Sequence, residues 1–182
     1  MKKIVAFGAS SSKKSINQQL AVWAVSQMNG VEAEVLDLND FEMPIYSIDR
    51  ENENGIPQLA IDFREVIEGA DGVLISFAEH NGNYSAAFKN IYDWFSRIER
   101  PIWANKPVFL MATSPGGRGG KGVLGIAQNS FPHHGATVTG AFSLPSFGTN
   151  FHTENGILDE ALEQEFRKQL TEFERSMSVE VV

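Results

Sequence analysis

The sequence predicts a doubly wound α/β domain, with five parallel strands in the order 2-1-3-4-5 and helices on both faces. Three observations carry that expectation. Continuous apolar runs at residues 4–7, 73–77 and 108–111 are too short for helices, and strands apolar at every position are strands covered on both sides. Strand and helix patterns alternate five times with no repeat, linker or low-complexity break, which is the signature of crossover units feeding a parallel sheet. A length of 182 residues with 42% hydrophobic content suits a single domain spanning 1–182 with a sizeable core.

Each element follows from its residues. Ile4, Val5, Ala6 and Phe7 read as a buried strand ending at Gly8. Ile16, Leu20, Trp23, Ala24 and Met28 then recur at helical spacing, and Asn29-Gly30 is expected to end that helix. Alternation from Glu32 to Leu38 suits a strand near the sheet edge, and the polar stretch from Asp49 to Gly55 reads as a long loop. Pro57 opens a helix running through Leu59, Phe63, Val66 and Ile67 to Gly69. After the strand at 73–77, Ala87, Phe88, Ile91, Trp94, Phe95 and Ile98 form the inner stripe of a helix starting near Ser85. Pro107 begins the next strand, where its missing donor matters least. A helix at about 121–131 leads to a strand at 136–139, and Leu158, Leu162, Phe166, Leu170, Phe173 and Met177 mark a final amphipathic helix.

Composition removes several functions. With no cysteine, disulfides, thiolate nucleophiles and cysteine-held metals are excluded. A net charge of −8 argues against nucleic-acid and anionic-membrane binding. The apolar run at the N-terminus is too short for a signal peptide, and no run approaches the ~20 residues of a membrane span, so a cytoplasmic protein is expected. The histidines at 133, 134 and 152 lack an H-E-x-x-H pattern or a carboxylate at ligand spacing, so no metal is expected. The charge is uneven, however. Segments 1–31 and 72–150 carry +4 and +3, whereas 32–71 and 151–182 carry −10 and −5, which places an anionic ligand against the first and third segments.

Ligands of open parallel sheets bind beyond the carboxyl ends of the strands, and three loops there lie in the positive segments. The first, Gly8 to Asn17, offers four serines and two lysines leading into a helix N-terminus, a setting that favours phosphate. It is not a G-x-G-x-x-G fingerprint, since Ala9, Ser10 and Ser11 follow Gly8. Pro115 and Gly122 likewise exclude a P-loop around Gly120-Lys121. The second loop, from Phe77 to Tyr84, is polar and expected to be flexible; Glu79 and His80 read as a solvated pair rather than an acid–base couple. The third, from Ser114 to Gly120, has four glycines in its last five positions, which let backbone approach a flat ligand closely.

Taken together these loops resemble the NAD(P)H-dependent FMN reductase family, flavodoxin-like enzymes with azoreductase, quinone reductase and chromate reductase relatives. The family pattern G-S-L-R-x-x-S-x-N is matched in spacing by the run from Ala9 through Ser10, Ser12 and Ser15 to Asn17. P-E-Y-N-x-S, L-K-N and D-W are matched by Ala78-Glu79-His80-Asn81, Phe88-Lys89-Asn90 and Asp93-Trp94. S-P-G-x-x-G-G is matched by Ser114 to Gly120, and Met43-Pro44-Ile45-Tyr46 extends the similarity. The resemblance implies that Ser10, Ser12, Ser15 and Asn17 hold the FMN phosphate. Glu79, His80 and Asn81 would lie along the isoalloxazine, largely through backbone groups, with Ser114 and Gly117 at its other edge. Ala9, Ser12, Ala78 and His80 depart from the pattern; the missing arginine leaves Lys13 or Lys14 as mobile substitutes.

The implied chemistry is hydride transfer from NADPH or NADH to flavin N5, then to a quinone, azo, nitro, flavin or metal-oxyanion acceptor. Arg118 and Lys121 are candidates for a 2′-phosphate contact. The flavin carries the chemistry, so no catalytic side chain is required. A flavin-binding electron carrier or sensor is the alternative reading, against which the non-flavodoxin phosphate loop counts. Small-molecule acceptors and a homodimer or homotetramer are the implied partners. Trp94 and Phe95 are read as core or subunit-interface residues, and Asp93 as locally paired.

Overall fold

The computed structural model describes residues 1–178, so the last four positions of the expected 1–182 domain lie outside the described residues. Its main sheet has β1 (Lys2–Ala9), β2 (Val31–Val35), β3 (Gly72–Phe77), β6 (Pro107–Thr113) and β7 (Thr137–Leu144). All pairings are parallel, in the order β2-β1-β3-β6-β7, which is the expected 2-1-3-4-5 order. Two short antiparallel hairpins, β4 (Glu79–His80) with β5 (Asn83–Tyr84) and β8 (Phe151–His152) with β9 (Gly156–Ile157), lie outside it.

Period-two alternation divides the core into two layers. Val5 and Phe7 of β1, Val73, Ile75 and Phe77 of β3, and Val108 and Leu110 of β6 face one side. There they meet Phe63 and Ile67 of α3 (Gln58–Gly69), Phe88 and Phe95 of α4 (Ala86–Phe95), and Val123 and Ala127 of α5 (Lys121–Ser130). Ile4, Ala6, Leu74, Phe109 and Met111 face the other side, covered by α1 (Ile16–Ser26) and α7 (Glu160–Ser178) through Leu20, Ala24, Phe166 and Phe173. Every central-strand residue named here is fully buried, the physical reason those runs are apolar at every position but Ser76. Trp94 and Phe95 are core residues of the first layer, and Asp93 pairs with Lys89 at 2.6 Å.

Several boundaries differ from expectation. Residues 49–55 are not a loop: α2 (Ile48–Asn54) is a helix, its N-terminus capped by Ser47 Oγ accepting from Arg50 N–H, its end closed by Gly55 at φ +73°. It buries no residue, so it leaves no apolar period to read, and it is tethered through Glu51, which accepts from Tyr46 Oη (3.0 Å) and Arg97 Nε (2.9 Å). α1 stops at Ser26, and Gly30 (φ +69°) belongs to the turn into β2. β2 ends at Val35, because Leu38–Phe41 winds into a 3₁₀ turn capped by Asp37. β7 runs on to Leu144, well beyond 139, since it pairs with β6 as far as Thr113. Leu158 is 53% exposed and precedes α7 rather than joining its stripe. The 77–84 segment is a hairpin, with Asn81 (φ +53°) and Gly82 (φ +76°) as the two turn residues, the backbone signature of a type I′ turn.

Among the described residues no helix is long and apolar enough to cross a membrane, and no cluster of three metal-ligating side chains occurs. His134 instead meets the Tyr92 hydroxyl through Nδ1. Burial, with Arg100 and His133 nearby, pushes its pKa down, while burial pushes that of Tyr92 up, so a neutral imidazole accepts from a protonated phenol. A depressed histidine pKa contributes stability that is full above the ordinary value and lost as pH falls through the folded one. His134→Gln is therefore expected to reduce the loss of urea stability between pH 7 and about pH 5.5. An unchanged pH slope in the variant would show the contact to be inert.

Candidate functional site

The carboxyl ends of β1, β3 and β6 open into a cavity of about 280 Å³. Ser10, Ser12, Ser15 and Asn17 line it from the first loop, Glu79 and His80 from β4, and Ser114 from the third loop, with Lys14, Ile16, Ala78, Thr113 and Pro115 between them. Seven of the nine expected residues are thus brought together. Asn81, at the hairpin tip, and Gly117, exposed in its loop, are not in the lining. Neighbouring cavities of about 320 and 340 Å³ are as large, so it is the chemistry of the lining that singles this one out.

The first loop is shaped by Gly8 and Gln18. Gly8 N–H donates to Gln18 Oε1 at 2.6 Å, and Gln18 Nε2 donates to Leu36 O at 3.0 Å, tying the start of α1 to β1 and to the end of β2. A Cβ on Gly8 would lie 2.3 Å from Gln18 N and 2.8 Å from Asn17 C, so only glycine allows α1 to sit this close. Ser15 Oγ accepts from Gln18 N–H at 3.1 Å, capping the helix while keeping its own proton to donate. The Ile16 and Asn17 N–H groups have no protein acceptor among the described residues, and the first turn of α1 carries no acid. Open amides, the helix dipole and hydroxyl donors converge there.

Asn17 does something its place in the loop did not announce. Its side chain is 3% exposed, and Nδ2 donates to Thr113 O (3.2 Å) while Oδ1 accepts from Thr113 N–H (3.0 Å) and Ser76 Oγ (2.8 Å). That amide joins α1 to β3 and β6, and it is Asn17's main-chain N–H that remains for a ligand. Thr113 and Gln18 shape the site without any local motif to mark them, and the strand-end Gly8 is the one sequence signal of the close approach.

Glu79 is the only acidic residue in the lining, and its carboxylate is already engaged. Oε2 accepts from Val123 N–H at 2.9 Å, in the first turn of α5, whose N-cap Gly120 (φ +71°) supplies no side chain. Gly122 makes room, since a Cβ there would be 2.7 Å from Oε2. Glu79 thus clamps the hairpin wall to the helix that follows the third loop. That loop is itself held at the start of α6 (Phe147–Asn150) by Ser146 N–H and Phe147 N–H, which donate to Gly116 O (2.9 Å) and Ser114 O (3.0 Å).

A family model described as NADPH-dependent FMN reductase matches residues 2–149. The chain belongs to that family. Among its relatives, an NADPH:quinone oxidoreductase of Arabidopsis thaliana is 26% identical over 178 residues, 92% of this chain and 88% of that protein. A quinone reductase of Escherichia coli K12 is 37% identical over 79 residues, 43% of this chain and 42% of that one. In fold, the flavoenzyme NAD(P)H:(acceptor) oxidoreductase FerB of Paracoccus denitrificans superposes with a TM-score of 0.77 at 22% identity, covering 98% of both chains.

The cradle suits the anionic cofactor of an FMN reductase: two open helix-terminal amides, serine hydroxyls able to donate, Lys14 at the rim, and a sole carboxylate turned to α5. Because the clamp joins both walls of this cavity, Glu79→Ala is expected to weaken flavin binding about fivefold and to cost about 1 kcal/mol, as a lost helix cap does. Glu79→Gln, which keeps an acceptor oxygen, should stay near wild type. Flavin fluorescence titration and thermal melting check both; wild-type behaviour of the alanine variant would remove the clamp from the account.

Proposed function

We propose that the chain, as a single 182-residue domain, is a cytoplasmic FMN-dependent oxidoreductase that moves hydride from NADPH or NADH to a small-molecule acceptor. The observation that carries this reading is the convergence of open α1 amides and Ser10, Ser12 and Ser15 in one cavity with Glu79, His80 and Ser114. The serines and the Ile16 and Asn17 amides would hold the phosphate. The backbone of residues 79–81 and the loop from Ser114 to Gly117 would border the ring. When bound, the flavin supplies the redox chemistry by taking hydride from the nicotinamide and passing it on, and the protein orients both partners. Quinones, azo and nitro compounds, free flavin and metal oxyanions are the acceptor classes, in line with the quinone oxidoreductases and the NADPH azoreductase of a Bacillus strain among its relatives. A homodimer or homotetramer fits a cavity walled by loops along one edge of the sheet, where a second subunit would close the open side.

The test is direct. Purified protein is expected to be yellow or to become so with FMN, and to oxidise NADPH or NADH once a quinone is added. Ser10→Ala with Ser12→Ala should weaken FMN about 10²-fold, each hydroxyl contact to a charged group being worth about 1.5–3 kcal/mol. Protein that binds no FMN sinks the reading, and FMN-loaded protein that leaves both nicotinamides oxidation-free is a carrier instead.

A further inference from the structure

Beside the flavin cavity, and sharing Lys14 and Ser15 with it, lies a groove of about 340 Å³ on the outer side of α1. Its lining is of another kind. Val22, Trp23 and Phe151 give it an apolar wall, and Lys13 and Lys14 stand at the end nearest the phosphate cradle. The wall is firmly built. The Trp23 ring centre is 4.8 Å from Phe166 and 5.6 Å from Phe151, and it packs over Gly156, where a Cβ would come within 2.4 Å of the indole. Val22 beside it is 42% exposed. Neither lysine has a carboxylate partner among the described residues.

One exposed valine needs no explanation. A rigid aromatic wall, two uncompensated ammonium groups and continuity with a phosphate cradle together describe a shape: a planar apolar ring joined to a second phosphate. We propose that this groove takes the adenosine 5′-phosphate half of a dinucleotide, with its phosphate at Lys13 and Lys14 and its adenine against Val22, Trp23 and Phe151. Charge-assisted contacts to phosphate and burial of a flat ring on aromatic side chains supply the binding energy. The inference rests on the flavin reading of the neighbouring cavity. Two molecules carry the chemistry: FAD, whose flavin phosphate would occupy the cradle itself, and the nicotinamide co-substrate.

Calorimetric titration separates them. Flavin-free protein is titrated with FMN and with FAD, and FMN-loaded protein with nicotinamide mononucleotide and with NADP⁺. In one of the two pairs the dinucleotide is expected to bind at least about tenfold tighter than its mononucleotide, and the pair that shows the gain names the source. Val22→Glu, which puts a carboxylate into the adenine wall, and Thr153→Glu, which puts one at another exposed lining position, should each cut that gain to less than about threefold, with FMN affinity unchanged. Equal affinities within both pairs, or a gain that survives both variants, overturns the groove assignment while leaving the flavin reading intact. Failure of FMN itself to bind overturns both.

Discussion

Gly8→Ala is expected to lower folding stability by about 3 kcal/mol, at the upper end of ordinary overpacking, and FMN affinity by about 10²-fold. The added methyl meets Gln18 N at 2.3 Å and Gln18 Cα at 2.6 Å. Both are backbone atoms, so no side-chain rotation relieves the clash, and α1 must lift from β1. Lifting breaks the Gly8 N–H bond to Gln18 Oε1 and with it the bridge to Leu36. It also re-aims the Ile16 and Asn17 amides proposed to hold the phosphate, and the loss of two such charge-assisted bonds, about 1.5–3 kcal/mol each, would account for the affinity change. Gly125→Ala is the control: it lies within α5, has nothing within 4 Å of the new atom, and should stabilise by about 0.5–1 kcal/mol. Chemical denaturation and FMN titration of the pair decide the matter; a Gly8→Ala protein as stable and as tight as wild type would mean that the close approach is not needed.

Asn17→Leu is expected to cost about 3–5 kcal/mol. It leaves the Ser76 hydroxyl and the Thr113 N–H and C=O without partners in a fully buried setting, each such group costing about 1–3 kcal/mol and the three not adding in full. Asn17→Asp supplies a sharper signature. The aspartate keeps both accepted bonds but faces the Thr113 carbonyl, to which only a protonated carboxyl can donate. Burial and that carbonyl raise its folded-state pKa above the free value of about 3.9. Its contribution is therefore full below the unfolded pKa and lost as pH rises through the folded one. Relative to wild type, the variant should regain stability as pH drops from 7 toward about 5. A constant difference across that range would show the Thr113 contact to be unimportant.

Asn17 also shows where sequence reading ends. A polar residue in a serine-rich turn reads as a ligand contact, because its partners Thr113 and Ser76 are 96 and 59 residues away and only the folded sheet brings them near. The three central strands were legible for the opposite reason: full burial forces an almost wholly apolar run, a local signal. α2 was missed because it buries nothing and thus has no period, although Ser47, Asp49 and Gly55 are ordinary start and stop residues. The hairpin at 79–84 was legible in principle, since Asn81-Gly82 is the pair that a type I′ turn requires, but alternation over two-residue strands is too brief to notice. Glu79 illustrates a middle case. Its residue type alone reads as half of a solvated pair with His80, and only the family resemblance placed it beside a ligand; its use as a cap for α5 depends on Gly120 and Gly122 standing opposite.

The Glu79 clamp has a consequence for the thermodynamics of loading. Hairpin and third loop are fastened to α5 and to the Ser146-Phe147 segment after β7 by bonds within the protein, so the conformational entropy of fixing them is spent when the chain folds and not when a ligand arrives. A site of this kind is preorganised. Its binding heat capacity should reflect only the surface that the ligand covers, with no added contribution from ordering of the loops.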